Sequence, residues 1–183
     1  MELPLLIILL SLAHASLAHL KSNAFPGYGF RWYDPVCGYA CNNAIASATL
    51  ECTVMDHSHG HSHAMGATSP ACRAGDTPFL TTLAWCMNAM CDPVKVPTWQ
   101  REKFWATKVT GDPAVVPKWD YSRALEDVGE KPTIEFNASS TDTLNQTVVL
   151  GMADYETQSR FMVKFDYLEM LQAKYMYASP ECL

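Results

Sequence analysis

Four histidines at alternate positions, His57, His59, His61 and His63, stand in the run Asp56-His57-Ser58-His59-Gly60-His61-Ser62-His63. Alternate side chains share a face when a segment is extended, and a glycine-containing loop can also wrap them about one ion. Imidazole nitrogen suits copper, zinc, nickel and iron. Met55 and Met65 flank the tract and bring soft thioethers, which favour cuprous copper. The tract is therefore the candidate metal site, with copper, zinc or iron as the expected ions. Imidazole coordinates only when neutral, and its ordinary pKa is about 6.5. Metal retention is expected to weaken towards about pH 5. The competing reading is a low-complexity insertion that binds metal weakly and without selection, because ordering a polar loop costs entropy.

The chain has seven cysteines, six of them between Cys37 and Cys91. Cys37 and Cys41 stand four apart in an Ala-rich, helix-compatible stretch, Cys37 to Cys52, and one helical turn puts both thiols on one face. Cys86 and Cys91 lie near the end of a second helix that opens at Thr77-Pro78. There Thr77 is a candidate N-cap, and proline is tolerated in the first turn. Two helices each carrying a pair suggest an antiparallel hairpin stapled twice, Cys37 with Cys91 and Cys41 with Cys86. Cys52 and Cys72 then close the loop that holds the histidines. Spacing alone leaves the other connectivities open. Cys182 stands far from the cluster.

Nothing else offers catalysis. Asp34, Asp76, Glu102 and Asp112 have no spacing that pairs them for acid–base work and read as caps or solvated charges. Ser47 and Thr81 lack a nucleophile-elbow context. Cysteines committed to disulfides provide no thiolate nucleophile. The aromatics of Tyr28-Gly29-Phe30-Arg31-Trp32-Tyr33 read as packing residues. No Gly-rich phosphate loop is present. A net charge of −6 with no basic run argues against nucleic acid as a partner.

The elements that must position these residues are mostly helical. Phe79, Leu80, Leu83, Ala84, Met87 and Met90 follow the helical period behind Thr77-Pro78. A helix is expected over Thr98 to Val109, ended by Gly111 and Pro113. Another runs from an Asp120 cap through Val128, with Gly129 as its stop. Thr133 to Leu150 looks extended, and Met152 to Tyr177 reads as a long final helix whose charges forbid burial in lipid. The expected fold is mainly α: a disulfide-stapled helical hairpin, further helices, and an extended, glycosylated segment. With 183 residues and 49% hydrophobic content the chain suffices for one domain of ordinary size, and global disorder is excluded.

An apolar run, Leu3 to Leu12, precedes the small-residue patterns Ala13-His14-Ala15 and Ser16-Leu17-Ala18. This predicts a secretory signal peptide over 1–18, and cleavage there removes Glu2 and leaves a charge of −5. Two sequons, Asn137-Ala138-Ser139 and Asn145-Gln146-Thr147, lie in a polar stretch. Glycosylation at Asn137 or Asn145 fits the same oxidising, extracellular compartment as the cysteines. The expected organisation is an N-terminal extended segment over 19–36, a cysteine-rich helical ectodomain over 37–178 with its His-rich loop at 55–66, and a tail over 179–183.

Several strings also resemble a known family. Tyr33-Asp34-Pro35-Val36-Cys37-Gly38-Tyr39-Ala40-Cys41, the run Ala71-Cys72-Arg73-Ala74-Gly75-Asp76-Thr77-Pro78-Phe79-Leu80-Thr81-Thr82-Leu83-Ala84-Trp85-Cys86, and Trp105 through Lys118-Trp119 are similar to fungal ferric/cupric reductases. The similar region is the extracellular N-terminal part that precedes their membrane domain. Leu144-Asn145-Gln146-Thr147, with the helix after it, resembles the approach to their first membrane helix. The resemblance implies a cell-surface metalloreductase that carries electrons from NADPH through FAD and haem to extracellular ferric or cupric ions. Its haem, flavin and nicotinamide sites have no matching positions in this sequence, so none is carried over. The resemblance gives way near Tyr175. The chain is thus expected to be a non-catalytic extracellular domain, either a portion of a reductase or a free-standing secreted relative. Its expected partners are metal ions and the membrane domain of a reductase. The alternative is a secreted metal-binding or cysteine-rich interaction protein independent of any reductase.

Overall fold

The computed structural model describes residues 33–54, 68–137 and 142–177, with side chains as far as Leu168. Its helices are α1 (Val36–Ala44), α2 (Pro70–Gly75), α3 (Thr77–Cys91), α4 (Thr98–Lys108), α5 (Tyr121–Glu126) and α6 (Met152–Tyr177). The chain divides into two compact units. One is Tyr33–Met162; the other, among the described residues, consists of the distal part of α6 from Val163 onward. Among the described residues no helix is long and apolar enough to cross a membrane.

α3 is the centre of the larger unit. Phe79, Leu80, Leu83, Ala84, Cys86, Met87 and Cys91 are buried, and so are the hydroxyl-bearing Thr81 and Thr82. A helix buried on nearly every side needs neighbours all round it. α1, α2 and α5 pack against it, and the extended segment crosses it at Thr81 and Thr82. The N-cap is Asp76, not Thr77: the Asp76 carboxylate accepts the Phe79 N–H at 2.8 Å, and Thr77 is already helical. Asp76 has the stronger acceptor, and it meets a donor that the helix start would otherwise leave unpaired.

α1 lies antiparallel to α3. It is shorter than the Cys37–Cys52 stretch suggested, ending at Ala44. Beyond it the backbone opens so that the Thr49 carbonyl accepts the Leu144 N–H at 2.8 Å, a long-range bond that a continued helix would forbid. α1 approaches closely enough that Gly38 faces the Phe104 ring; a Cβ there would lie 3.1 Å from it.

α4 and α5 meet through aromatic packing. Trp105 is buried, donates its indole N–H to the Trp119 carbonyl at 2.8 Å and stands edge-on to Tyr121 at 5.7 Å. Arg101, buried on the same helix, donates to the Val96 carbonyl, to Asp92 and to the Tyr121 hydroxyl. Burial works against its charge, yet the bonds to Tyr121 and Asp92 outweigh it and hold the guanidinium pKa above its ordinary value. Burial also raises the Tyr121 phenol pKa, partly offset by Arg101.

Residues 133–137 and 142–150 are non-helical, with isolated bridges from Glu135 to Val149 and from Thr49 to Thr143. Leu144, Val148 and Leu150 enter the core. The described part of the segment therefore adds apolar side chains to the hydrophobic interior while Asn137, Asn145 and Gln146 stay exposed.

Candidate functional site

The three cysteine pairs are Cys37–Cys91, Cys41–Cys86 and Cys52–Cys72, with Cα separations of 5.4, 5.8 and 5.6 Å. The first two join α1 to α3 with outer paired to outer and inner to inner, so they clamp one antiparallel hairpin at successive turns. Their four cysteines are between 0% and 4% exposed. The third closes the loop that carries the histidines.

Local hydrogen bonds build the neck of that loop. The Thr53 N–H donates to the Leu50 carbonyl at 2.9 Å, while the Leu50 N–H donates back to Thr53 Oγ1 at 2.8 Å. Leu50 is buried and anchors this turn in the core. Thr53 and Thr68 face each other across the neck with their hydroxyl oxygens 2.8 Å apart. On the far side Ser69 caps α2 by accepting the Cys72 N–H at 3.2 Å, with Pro70 opening the helix. This Ser-Pro start carries the same cap signal as Thr77-Pro78, and reading it would have located α2 from the sequence.

His57, His59, His61 and His63, together with Met55 and Met65, lie outside the described residues. What the structure places is the anchor on either side of them. A cleft of about 560 Å³ lies at that anchor, lined by Glu51, Cys52, Ser69, Cys72, Asp76 and Thr77 among others. Burial raises the Asp76 carboxyl pKa above its ordinary value. The hydrogen bond from Phe79 offsets this in part, Glu51 adds to it and Lys118 opposes it. Among the described residues no three of His, Cys, Asp or Glu are grouped to hold a metal ion.

The other acidic candidates, Asp34, Asp112 and Glu102, have structural partners. Asp34 accepts from the Gln100 amide at 2.7 Å, and Asp112 accepts the Ala114 N–H at 2.9 Å. Glu102 accepts from the Tyr121 and Ser122 N–H groups, each at 3.1 Å, and from the Ser122 hydroxyl at 2.7 Å. It thereby ties α4 to the start of α5, where Asp120 accepts the Arg123 N–H at 2.7 Å. The cap role of Glu102 spans some twenty positions in sequence, so no local signal announces it.

Asn137 and Asn145 are both exposed. They line one groove of about 510 Å³ with Glu135, Phe136, Asp142 and Leu144. The Asn145 sequon is seated on α3. Thr81 directs its proton to the Thr77 carbonyl at 2.9 Å, so at 2.8 Å from it Thr147 is the donor, and the Val148 N–H donates to Thr82 at 3.0 Å. The backbone is held while the Asn145 side chain remains outside.

Comparison of the chain with family models, with curated proteins and with solved structures gave no match.

Proposed function

We propose that this chain is a non-catalytic extracellular metal-capture domain, akin to the outer part of a fungal ferric/cupric reductase. It presents His57, His59, His61 and His63 on a covalently closed loop to copper, zinc or iron. The observation that carries this reading is the placement of the tract: four imidazoles are tethered between Cys52 and Cys72, and both ends of the tether are fixed to a doubly stapled helical body. Closing a loop at its base reduces the conformations that metal binding must select, which lowers the entropy cost of gathering several imidazoles on one ion. The three disulfides fit an oxidising compartment. Asp34, Asp76, Glu102 and Asp112 are engaged in capping and cross-linking, which supports a role in holding metal and not in turning over a substrate. In this reading FAD, haem and NADPH belong to a reductase partner, and the captured ion is its substrate.

The test is a metal titration of the full chain against a variant with all four histidines changed to alanine. Copper should bind the parent and be lost from the variant, and affinity should fall as the solution is acidified through about pH 6.5, where imidazole takes a proton. In the cells that make the chain, the variant should slow surface reduction of ferric and cupric chelates at limiting metal and leave it unchanged at saturating metal. Equal binding by parent and variant refutes the tract as the ligand set. Stoichiometric haem or flavin on the purified chain, or iron reduction by it with NADPH, refutes the non-catalytic assignment.

A further inference from the structure

The three disulfides differ in what can reach them. Cys37, Cys91, Cys41 and Cys86 are sealed between α1 and α3. The Cys52–Cys72 bridge instead borders the open cleft at the loop neck, with both of its cysteines in the wall. Its two ends are also unequal. Cys52 sits in the exposed turn after Leu50, whereas Cys72 is only 7% exposed inside the first turn of α2. Thiol–disulfide exchange requires a thiolate to reach one sulfur in line with the bond, so access selects both the bridge and the sulfur that is attacked.

We propose that Cys52 is a thiol-exchange site for a small thiol, and that an uncharged or cationic thiol is the preferred reagent. The thiolate of the reagent bonds to Cys52 Sγ as the Cys52–Cys72 bond breaks. The bonding pair leaves on Cys72 Sγ, which takes up the proton that the reagent lost. A second reagent thiolate then attacks the reagent sulfur on Cys52 and releases Cys52 as a thiol. The net change oxidises two reagent thiols to one disulfide and reduces one protein disulfide to two thiols. Charge selects the reagent because Glu51 and Asp76 both line the cleft against one ammonium, that of Lys118, which is hydrogen-bonded to Thr77 in the same wall; the net negative sign repels an anionic reagent as it approaches. The rest of the molecule is arranged to survive the exchange. The two buried staples remain, and the Thr53–Thr68 contact still holds the neck. Exchange at Cys52 stands whether or not the loop captures metal.

The experiment uses the folded full chain under native conditions. Any thiol free at the start is blocked with one alkylating agent, limiting reductant is added, and samples are quenched with a second agent and mapped by peptide mass. Cys52 and Cys72 should acquire the second label at least about tenfold faster than the other four cysteines, and the reagent should be trapped on Cys52. Rates with cysteamine and with 2-mercaptoethanesulfonate are each divided by that reagent's rate with a small soluble disulfide. At low salt cysteamine should then lead by about threefold or more, and the lead should close at high salt and narrow in Glu51→Gln. Trapping on Cys72, equal labelling of all six cysteines, or an anionic reagent as fast as the cationic one overturns the proposal.

Discussion

Removing the two hairpin staples singly and together should give costs that do not add. Cys37–Cys91 and Cys41–Cys86 are nested: each spans the same hairpin, and the Cys52–Cys72 bridge already shortens the loop inside them. With one staple intact, the other closes only a small ring of about 11 residues, formed by the two short segments between the bridges, worth about 2.8 kcal/mol of denatured-chain entropy. With both gone, the lost constraint includes the wider ring as well, about 36 residues once the third bridge is counted, and the total is about 6.6 kcal/mol. Cys41→Ala/Cys86→Ala and Cys37→Ala/Cys91→Ala should therefore each cost about 2.8 kcal/mol, and the fourfold variant about 1 kcal/mol more than their sum. Independent loops would instead give about 4 kcal/mol for each pair and simple additivity. Urea unfolding of non-reduced protein, followed through the buried Trp105, measures all four states of the cycle. Additive losses of about 4 kcal/mol per staple would refute the nested-ring account. The fourfold loss is comparable to the entire stability of a domain this size, so that variant should be largely unfolded without denaturant.

Three further substitutions probe the packing around the staples. Asp76→Asn keeps an acceptor for the Phe79 N–H but removes the titration. The folded-state pKa of Asp76 is raised, so the folded chain holds the proton more tightly and parent stability should gain on the variant as pH falls from neutral towards the ordinary aspartate pKa; a flat difference in urea midpoint would count against it. Gly38→Ala gains helix propensity worth about 1 kcal/mol, but its Cβ meets a Phe104 ring that Tyr39 also holds in place, so thermal unfolding should show net destabilisation of about 1 kcal/mol, relieved by Phe104→Leu. Arg101→Met should cost about 2 kcal/mol because the Val96 carbonyl and Tyr121 hydroxyl lose their donor, whereas Asp92→Asn should cost under about 1 kcal/mol because Asp92 is largely solvated; chemical denaturation of both variants separates the two terms.

Much of the helical framework was legible before folding because its signals are local. Asp120 ahead of Tyr121, and Gly129 with its positive φ after the helix, mark α5 within a dozen residues. The apolar period of Phe79 to Met87 marks α3 in the same way. The Thr77 cap was misplaced by one residue because Asp76 and Thr77 both carry a suitable oxygen, and only the backbone conformation shows which of them stands outside the helix. The early end of α1 was not legible at all. Past that end the chain enters a long-range hydrogen bond between Thr49 and Leu144, partners some ninety-five positions apart, which no local stretch of sequence announces.

By itself the sequence determined which residues can do chemistry: a histidine tract between two cysteines, a cysteine pair on each of two helical stretches, and two sequons in a polar stretch. These follow from residue type and near-neighbour spacing, which any conformation preserves. Tertiary structure decided which acidic groups became caps and cross-links, that α3 would be enclosed on nearly every side, and that one bridge would border a cleft while two were sealed in the core. Such outcomes depend on which surfaces distant segments cover, and burial of that kind is a property of the packed chain that no single stretch of it encodes.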